Sequence, residues 1–380
     1  MGPSRRVLMI STHFYPTIGG AERQALALGR ALVTRGHSVS VVTHRPRGLP
    51  ASEVVDGVSI HRAIRPIGRG GLYALSYCST LAAFLLRRRR DYDLIHAHLL
   101  FLDAAAAGLL RSGLGKPVVA KAAGAGATGD AARLRRVRFG SRLLRGVARA
   151  DRIVAPSRDV EEELVALGIS RTQLIRIPNG VETERFRPTE DREAARQHLG
   201  LTGRLVSFTG RLDPHKGVDV LLDAWQRVAS AVADATLLVV GKGPQEEALR
   251  RQAARLDLSG RVIFVGERPD VLPYLHASEL FVFPSRFEGL PNALLEAMAC
   301  GLPCVASRIG AHAELITDGA DGVLVDPRDP NRLAEAMLRV LRNTDEAARL
   351  GRAARHTIER GYAMPAVAGR YEALYEELLR

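Results

Sequence analysis

The sequence predicts two α/β domains, each built on a doubly wound parallel sheet that helices cover. Short apolar runs rich in β-branched residues alternate with longer helical patterns in both halves of the 380-residue chain. Several of these runs are apolar on both faces, as expected for parallel strands packed between helices. A chain of this length holds two or three domains, at roughly 100–200 residues each.

The first half begins with a predicted strand, after which helices and strands alternate. Its predicted strands are Arg6–Ser11, Ser38–Thr43, Leu94–Ala97, Pro117–Lys121 and Arg152–Ala155, and its predicted helices are Ala21–Thr34, Leu72–Leu86 and Val160–Leu167. The apolar run at Leu72–Leu86 is shorter than the about 20 residues that a bilayer span requires, so we expect a packed helix there.

The second half repeats the pattern. Its predicted strands are Leu205–Thr209, Thr236–Val240, Val262–Val265, Leu280–Phe283 and Pro303–Ser307, and its predicted helices are Val218–Val232, Pro244–Leu256 and Pro291–Ala299. We expect Pro291 as a first helical residue, because its missing N–H costs nothing there. The last predicted helix, Ala366–Arg380, carries Tyr371, Leu374 and Leu378 on one face.

A segment near the middle of the chain has the composition of a linker. Ile177–Pro188 contains two prolines and an Asn-Gly turn, and it has no clear helical or strand period. We therefore predict an N-terminal domain at residues 1–180 and a C-terminal domain at residues 181–363. The final helix, within residues 364–380, is expected to pack back on the N-terminal domain.

The net charge is unusual. The chain has 54 Lys and Arg against 41 Asp and Glu, a formal net charge of +13. Residues 1–180 carry 28 basic and 12 acidic residues, a net of +16, whereas the rest carry 26 and 29, a net of −3. Such an excess attracts an anionic partner: nucleic acid, a membrane surface or a phosphorylated small molecule.

The remaining composition is that of a globular cytosolic protein. The hydrophobic fraction of 46% and the charged fraction of 25% exclude disorder and fibrous repeats. Three cysteines cannot form a disulfide scaffold and suit a reducing compartment. The apolar run Val7–Ile10 is too short for a signal-peptide core. We expect a cytoplasmic protein, with peripheral contact at the inner face of the membrane as an open alternative.

Residues that follow strands are the candidates for chemistry, because ligands of such sheets bind at the carboxyl ends of the strands. Gly19 and Gly20 precede a helix and let the backbone approach a phosphate, although a simple turn explains them equally well. Arg211 and Lys216 follow a strand and would neutralise a diphosphate leaving group; the alternative is a pair of solvated cations.

Two glutamates of the second half are separated by seven residues. Glu288 is expected in the loop before a helix and Glu296 within that helix. The two acids would contact one elongated ligand at different points. The alternative is a capping acid followed by a solvated helical acid.

Together these motifs resemble the retaining glycosyltransferases of family 4. In the family's order, and over nearly the whole chain, the resemblance is carried by Gly19-Gly20-Ala21-Glu22, Ile177–Val181, Gly210-Arg211 with Lys216, and Glu288-x7-Glu296. It implies the GT-B fold, in which two Rossmann-like domains face each other across a cleft. It also implies a nucleotide-diphosphate sugar donor in the C-terminal domain and an acceptor held mostly by the N-terminal domain.

The resemblance implies a role for each matching position on the donor side. Arg211 and Lys216 match the pair that contacts the donor diphosphate. Glu288 matches the acid that binds hexose hydroxyls, and Glu296 matches the acid that binds the ribose. The backbone at the helix start would complete the phosphate site, at Leu290, Pro291, Asn292 and Ala293, with the Gly19-Gly20 loop closing over it.

His98 is the candidate of the N-terminal domain. It matches the second histidine of the family's His-x-His strand ending, which faces the transferred sugar; the alternative is a core histidine, as we expect for His96. One departure follows the next strand, where Lys121–Asp130 replaces the usual Thr-Val-His-Gly-like ending. Its glycines would approach a ligand or mark a mobile loop, and the roles of Lys121 and Asp130 stay open.

The family implies retention of anomeric configuration by an oxocarbenium-like, front-side substitution without a protein nucleophile. UDP is favoured as the donor nucleotide by family frequency, with GDP and ADP as alternatives. We expect no cofactor and no obligatory metal. Asp91 and Asp93 precede their strand, opposite the ligand face, and Cys300 and Cys304 lack partner ligands at zinc spacing.

Two arginine-rich segments concentrate the charge. Asp130–Asp151 contains seven arginines and spacings compatible with an apolar helical stripe, which Gly140 and Gly146 weaken, and Arg87–Arg90 follows an apolar helix. They would bind anionic lipid headgroups or form a solvated face. The acceptor is expected to be lipid-linked, a glycan or an anionic compound.

Two other functions are alternatives. Binding of nucleic acid is disfavoured, because only 5% of residues are aromatic and no stacking or helix-turn-helix motif is present. A nucleotide-sugar epimerase would use the same fold, but the ordered family motifs argue against it.

Overall fold

The chain divides into two compact units in a computed structural model that describes residues 3–16 and 19–380. Unit 1 runs to Gly180 and includes Met364–Arg380, and unit 2 is Val181–Ala363. Each unit is a parallel α/β sheet with its own buried core, which confirms the predicted fold class. Among the described residues, no helix is both long and apolar enough to cross a bilayer.

Unit 1 contains an eight-stranded sheet with the order β3-β4-β2-β1-β5-β6-β7-β8. Its strands are β1 (Arg6–Ile10), β2 (Ser38–His44), β3 (Ser52–Val55), β4 (Val58–Ile64), β5 (Leu94–Ala97), β6 (Val118–Lys121), β7 (Arg152–Ala155) and β8 (Leu174–Arg176). All neighbouring strands are parallel except β3 and β4. The sequence reading missed β3, β4 and β8.

The missed hairpin has a signal of its own. Asp56 and Gly57 join β3 to β4 with φ values of 50° and 80°, and the residues of β4 alternate between buried and half-buried. An Asp-Gly pair between alternating runs is a strong hairpin signature. The fully buried guanidinium of Arg62 fastens the hairpin, because it pairs with Glu53 and donates to the carbonyl of Tyr15 at 2.8 Å.

The helices of unit 1 that precede the linker cover both faces of the sheet. They are α1 (Gly20–Thr34), α2 (Gly70–Arg87), α3 (Leu102–Leu114), α4 (Asp130–Arg136), α5 (Gly140–Val147) and α6 (Arg158–Val165). The arginine-rich segment Asp130–Asp151 forms two helices, α4 and α5, and the second begins at Gly140, one of the two glycines that weaken the helical pattern in the sequence. Gly140 approaches the preceding helix so closely that an added Cβ would lie 1.7 Å from the carbonyl oxygen of Leu134.

Unit 2 contains a six-stranded parallel sheet with the order β11-β10-β9-β12-β13-β14. Its strands are β9 (Arg204–Thr209), β10 (Ala235–Val240), β11 (Val262–Gly266), β12 (Leu280–Phe283), β13 (Cys304–Ser307) and β14 (Val323–Val325). Its helices are α7 (Arg192–His198), α8 (Val218–Ala231), α9 (Glu246–Arg255), α10 (Leu272–Ala277), α11 (Asn292–Ala299), α12 (Gly310–Ala313), α13 (Pro330–Arg342) and α14 (Thr344–Gly361). Pro291 is the N-cap of α11 with ψ 117°, and not its first helical residue as expected.

The last helix, α15 (Met364–Leu379), returns to unit 1. Tyr371, Leu374 and Tyr375 are buried in the core that also contains residues of α1 and β1. Glu372 accepts hydrogen bonds from Arg35 at 2.9 Å. The apolar face predicted from the sequence is therefore the face that packs.

We predict that Leu374→Ala destabilises unit 1 by about 2–5 kcal/mol, because it leaves a cavity beneath α15. Leu374 is 2% exposed, whereas Leu109 on α3 is 53% exposed, so Leu109→Ala is a matched control expected to change stability by less than about 0.5 kcal/mol. Urea denaturation of both variants measures the difference. Equal shifts would contradict the packing of α15.

Candidate active site

The adjacency of β9 and β12 creates the centre of the site in unit 2. Their parallel pairing brings the loop after β9 beside the loop after β12 at the carboxyl edge of the sheet. Gly217 ends the first loop with φ 69°, and an added Cβ would lie 2.2 Å from the carbonyl oxygen of Pro284. Only glycine permits this backbone to approach the second loop so closely.

Lys216 and Glu288 meet where the two loops touch. The ammonium of Lys216 lies 2.6 Å from a carboxylate oxygen of Glu288, and the two side chains are 16% and 10% exposed. The same ammonium lies 5.2 Å from the ring centroid of Phe283. The structure therefore joins two predicted site residues in one largely buried ion pair.

Arg286, in the loop after β12, contacts both the loop after β9 and the start of α8. Its amide donates to the carbonyl of His215 at 2.7 Å, and its guanidinium pairs with Asp219 at 2.6 Å. The ring of Phe287 stacks on His215 with centroids 4.7 Å apart, and burial lowers the pKa of His215. The sequence reading missed these contacts, because they join two loops that no motif links.

Arg211 lies apart from that ion pair. Its guanidinium pairs with Asp213 of its own loop at 2.8 Å, and its side chain is 70% exposed. An exposed arginine held by one neighbour keeps donors available to a ligand at the same edge.

His312 is a further polar residue at this edge. It follows β13, is fully buried, and its ring lies 5.5 Å from that of Phe283. Burial lowers the pKa of His312 to about 4, although the charge of Glu288 acts in the opposite direction. Nδ1 lies 2.8 Å from the carbonyl oxygen of Ser307 and therefore carries the proton, which leaves Nε2 as a buried acceptor without a partner among the described residues.

The loop–helix arrangement around α11 is as expected. Glu288 lies in the loop, and Glu296 lies within the helix, where it is half-buried. Leu290 is buried, and Asn292 and Ala293 form the first turn. Pro291 has no N–H, so it cannot contribute an amide donor to a phosphate site.

The carboxyl edge of unit 1 contains the second group of candidates. His98 is 2% exposed, and its ring lies 4.1 Å from that of His96. Burial and the charge of Lys121 lower the pKa of His98 to about 3, so the imidazole is neutral at physiological pH. His96 Nδ1 lies 2.7 Å from the hydroxyl of Tyr375, as suits the packing residue expected there.

Asp130 organises the glycine-rich segment after β6. Its carboxylate is 6% exposed and accepts hydrogen bonds from the amides of Ala123 at 2.7 Å and Gly124 at 3.1 Å. It also accepts from the amide of Leu100 at 3.3 Å. Burial raises the pKa of Asp130 despite these bonds. Asp130 therefore shapes the loop from within.

The Gly19-Gly20 motif lies at the start of α1. Gly19 is the extended N-cap, and Gly20 is the first helical residue. An added Cβ on Gly19 would lie 2.5 Å from a carboxylate oxygen of Glu22. The part of this motif's loop at residues 17 and 18 lies outside the described residues.

Within residues 3–16 and 19–380, no three His, Cys, Asp or Glu side chains are grouped closely enough to hold a metal ion. Asp93 pairs with Arg6 at 2.6 Å, and Asp91 pairs with Arg88 at 3.1 Å. Cys300 and Cys304 are buried thiols whose pKa values burial raises.

Two family models match this chain. Glycosyltransferase Family 4 matches residues 18–185, and Glycosyl transferases group 1 matches residues 203–343. A D-inositol 3-phosphate glycosyltransferase of Acidothermus cellulolyticus is 32% identical over 89% of this chain and 83% of the relative. An N-acetyl-alpha-D-glucosaminyl L-malate synthase of Bacillus anthracis is 26% identical over 98% of each chain.

One further relative and two solved structures are also similar to this chain. A GDP-mannose-dependent alpha-(1-6)-phosphatidylinositol monomannoside mannosyltransferase of Mycolicibacterium smegmatis is 36% identical over 54% of this chain and 57% of the relative. Sucrose-phosphate synthase of Thermosynechococcus elongatus superposes with a TM-score of 0.83 at 26% identity, over 98% of this chain and 99% of that one. HepE of Anabaena in complex with UDP and glucose has a TM-score of 0.81 at 21% identity, over 98% and 100%, which shows the fold alone.

These matches confirm both the family and the GT-B fold that the sequence predicts. This chain therefore belongs to glycosyltransferase family 4 and is a glycosyltransferase.

Proposed function

We propose that this protein transfers a hexose-type sugar from a nucleotide-diphosphate sugar, with UDP as the nucleotide, to an anionic or lipid-linked acceptor. Transfer retains the anomeric configuration and requires no metal and no cofactor. The ion pair of Lys216 with Glu288, 2.6 Å long at the carboxyl edge of the unit 2 sheet, is the observation that carries the proposal. In this ion pair, a cation that can contact a diphosphate lies next to a carboxylate that can accept hydrogen bonds from sugar hydroxyls.

The cations of unit 2 would stabilise the leaving group. Lys216 exchanges the carboxylate of Glu288 for the donor diphosphate, and the exposed Arg211 adds a second, bidentate contact. Glu288 then accepts hydrogen bonds from the sugar hydroxyls. Both charges already lie in a partly dry site, so each is available to the donor once the ion pair has opened.

Other positions would hold the rest of the donor. Glu296 binds the ribose, and the backbone amides of Leu290, Asn292 and Ala293 around the start of α11 contact the phosphates, while Pro291 contributes no amide donor. Gly19 and Gly20, at the start of α1, are further candidates for contact with a phosphate. The neutral imidazole of His98 hydrogen-bonds the transferred sugar and does not titrate, because the pKa of His98 lies near 3.

The acceptor assignment rests on charge and on the relatives. Residues 1–180 carry the whole excess of positive charge, with 28 basic and 12 acidic residues. The names of the relatives specify inositol phosphate, malate and a phosphatidylinositol mannoside, which all bear phosphate or carboxylate groups. An anionic acceptor is common to these names, whereas the donor nucleotide is not.

A donor-hydrolysis screen across UDP-, GDP- and ADP-sugars tests the reaction without knowledge of the acceptor. We expect slow release of free sugar from a UDP-sugar, with the donor's anomeric configuration in the first product seen by NMR, and the same rate in excess EDTA. An inverted first product overturns retention, and loss of hydrolysis in EDTA overturns metal independence. Faster hydrolysis of a GDP- or ADP-sugar overturns UDP as the donor nucleotide, and release of an isomeric sugar favours an epimerase.

We expect Glu288→Gln and Lys216→Met each to lower the hydrolysis rate by about 10²–10³, as for loss of one electrostatic contact to a transition state. Glu335→Gln on α13 and Lys116→Met in unit 1 are matched controls with rates near wild type. Melting temperatures of all four variants check that the fold persists. Near-normal rates in both site variants would contradict the assignment.

The basic helices of unit 1 support a peripheral membrane role. Exposed Phe139 lies between α4 and α5, with the guanidinium groups of Arg138 and Arg142 at 5.8 and 5.4 Å from its ring centroid. α3 packs against both α2 and α5. α2 exposes Leu72 and Leu75 at 58% and 66%. Apolar side chains among cations suit the interface of an anionic bilayer.

Vesicle co-sedimentation tests this role. We expect binding to vesicles with anionic lipid, weaker binding at higher salt because exposed charges are screened, and a loss in the Arg138, Arg142 and Arg145→Gln triple variant. The matched control is a triple variant of exposed arginines in unit 2, Arg255, Arg342 and Arg352→Gln. Equal binding to neutral vesicles, or none to either, contradicts the proposal.

A further inference from the structure

Unit 1 buries a lysine that has no carboxylate partner. Lys121 ends β6 and is 6% exposed, and its ammonium donates to the side-chain oxygen of Asn179 at 2.9 Å. No ion pair to Lys121 is formed by any carboxylate among residues 3–16 and 19–380. Burial alone lowers the pKa of Lys121 to about 8, so it is charged at neutral pH.

The groups around this ammonium are neutral. From β5, His96 and His98 are both buried, and Lys121 contributes to the lowering of both pKa values. From α15, the ring centroid of Tyr371 lies 5.9 Å from the ammonium, and burial raises the pKa values of Tyr371 and Tyr375. No negative charge therefore faces Lys121 from these elements.

Buried polar atoms without partners among the described residues lie on β5 and α15, the two elements that surround Lys121. His98 Nε2, His96 Nε2 and the hydroxyl of Tyr371 are buried without a hydrogen-bond partner in the described part of the chain. A buried cation is costly unless an opposite charge and hydrogen bonds compensate it. Here the protein supplies one neutral oxygen and the face of the Tyr371 ring, so the compensation that is missing is an anion.

We propose that Lys121 forms the subsite for a phosphate or carboxylate group of the acceptor, next to His98, which the proposed function assigns to the transferred sugar. This inference rests on the proposed function, because that function assigns unit 1 to the acceptor. Lys121 stands at the strand ending where this chain departs from the commonest family pattern, so it determines acceptor specificity in this chain. The subsite requires an acceptor that bears an anionic group; a neutral sugar hydroxyl alone leaves the ammonium unpaired.

Isothermal titration with inorganic sulfate tests the subsite, because the charge of sulfate is constant between pH 6 and 10. We expect binding by the wild type that weakens as pH rises through about 8, where the ammonium loses its proton. Lys121→Met should weaken binding at least tenfold, and Lys121→Arg should keep binding at pH 10. Near-ultraviolet circular dichroism checks that the variants fold.

Lys216→Met separates this subsite from the donor diphosphate site. Sulfate binding that survives in Lys216→Met and in saturating UDP, yet is lost in Lys121→Met, supports the acceptor subsite. Binding that Lys216→Met or UDP abolishes assigns the anion to the donor and overturns the inference. Equal sulfate binding by all variants, which indicates an adventitious ion only, also overturns the inference. So does an absence of sulfate binding by the wild type. Failure of the proposed function appears separately, as an absence of donor hydrolysis in the wild type.

Discussion

The close approach of two backbones at the carboxyl edge of unit 2 is the constraint on which its site depends. Parallel pairing of β9 with β12 brings their loops side by side, and Gly217 lets the first loop touch the carbonyl of Pro284. Without that contact, the 2.6 Å ion pair of Lys216 with Glu288 would have no reason to form, because the two residues are 72 positions apart in the chain. Arg286 then holds both loops in register.

Each unit buries a lysine at the carboxyl edge of its sheet, and the two ammonium groups differ in their partners. In unit 2 the buried cation has a carboxylate partner, so the protein itself satisfies it. In unit 1 the buried cation has a neutral amide and two neutral imidazoles, because burial favours the uncharged form of each histidine. In the proposed function, the cation of the first edge must exchange its carboxylate partner when the donor binds. The second edge is incomplete and gains a partner on binding.

The sequence reading succeeded where a pattern is local and failed where contacts are distant. Strands such as β5, β7 and β12 were placed at their observed bounds, because each is a short apolar run between turns. The β3–β4 hairpin was missed although Asp56-Gly57 signals it. Gly140 weakens the helical pattern in the sequence, but its close approach to Leu134, which fixes the boundary between α4 and α5, is a contact that periodicity does not reveal. Arg286 and His312 belong to no motif, since folding alone brings them to the site.

The positive charge of this protein therefore acts on two length scales. Arginines of α4 and α5 are exposed, so salt screens them beyond about 10 Å and they attract anions without choosing among them. Lys121 contributes one charge of the whole excess, but burial removes the solvent that would screen it. A single buried cation therefore discriminates an anionic acceptor from a neutral one more strongly than many exposed ones. If the acceptor is anionic, as we propose, the exposed arginines raise its local concentration and the buried lysine selects it.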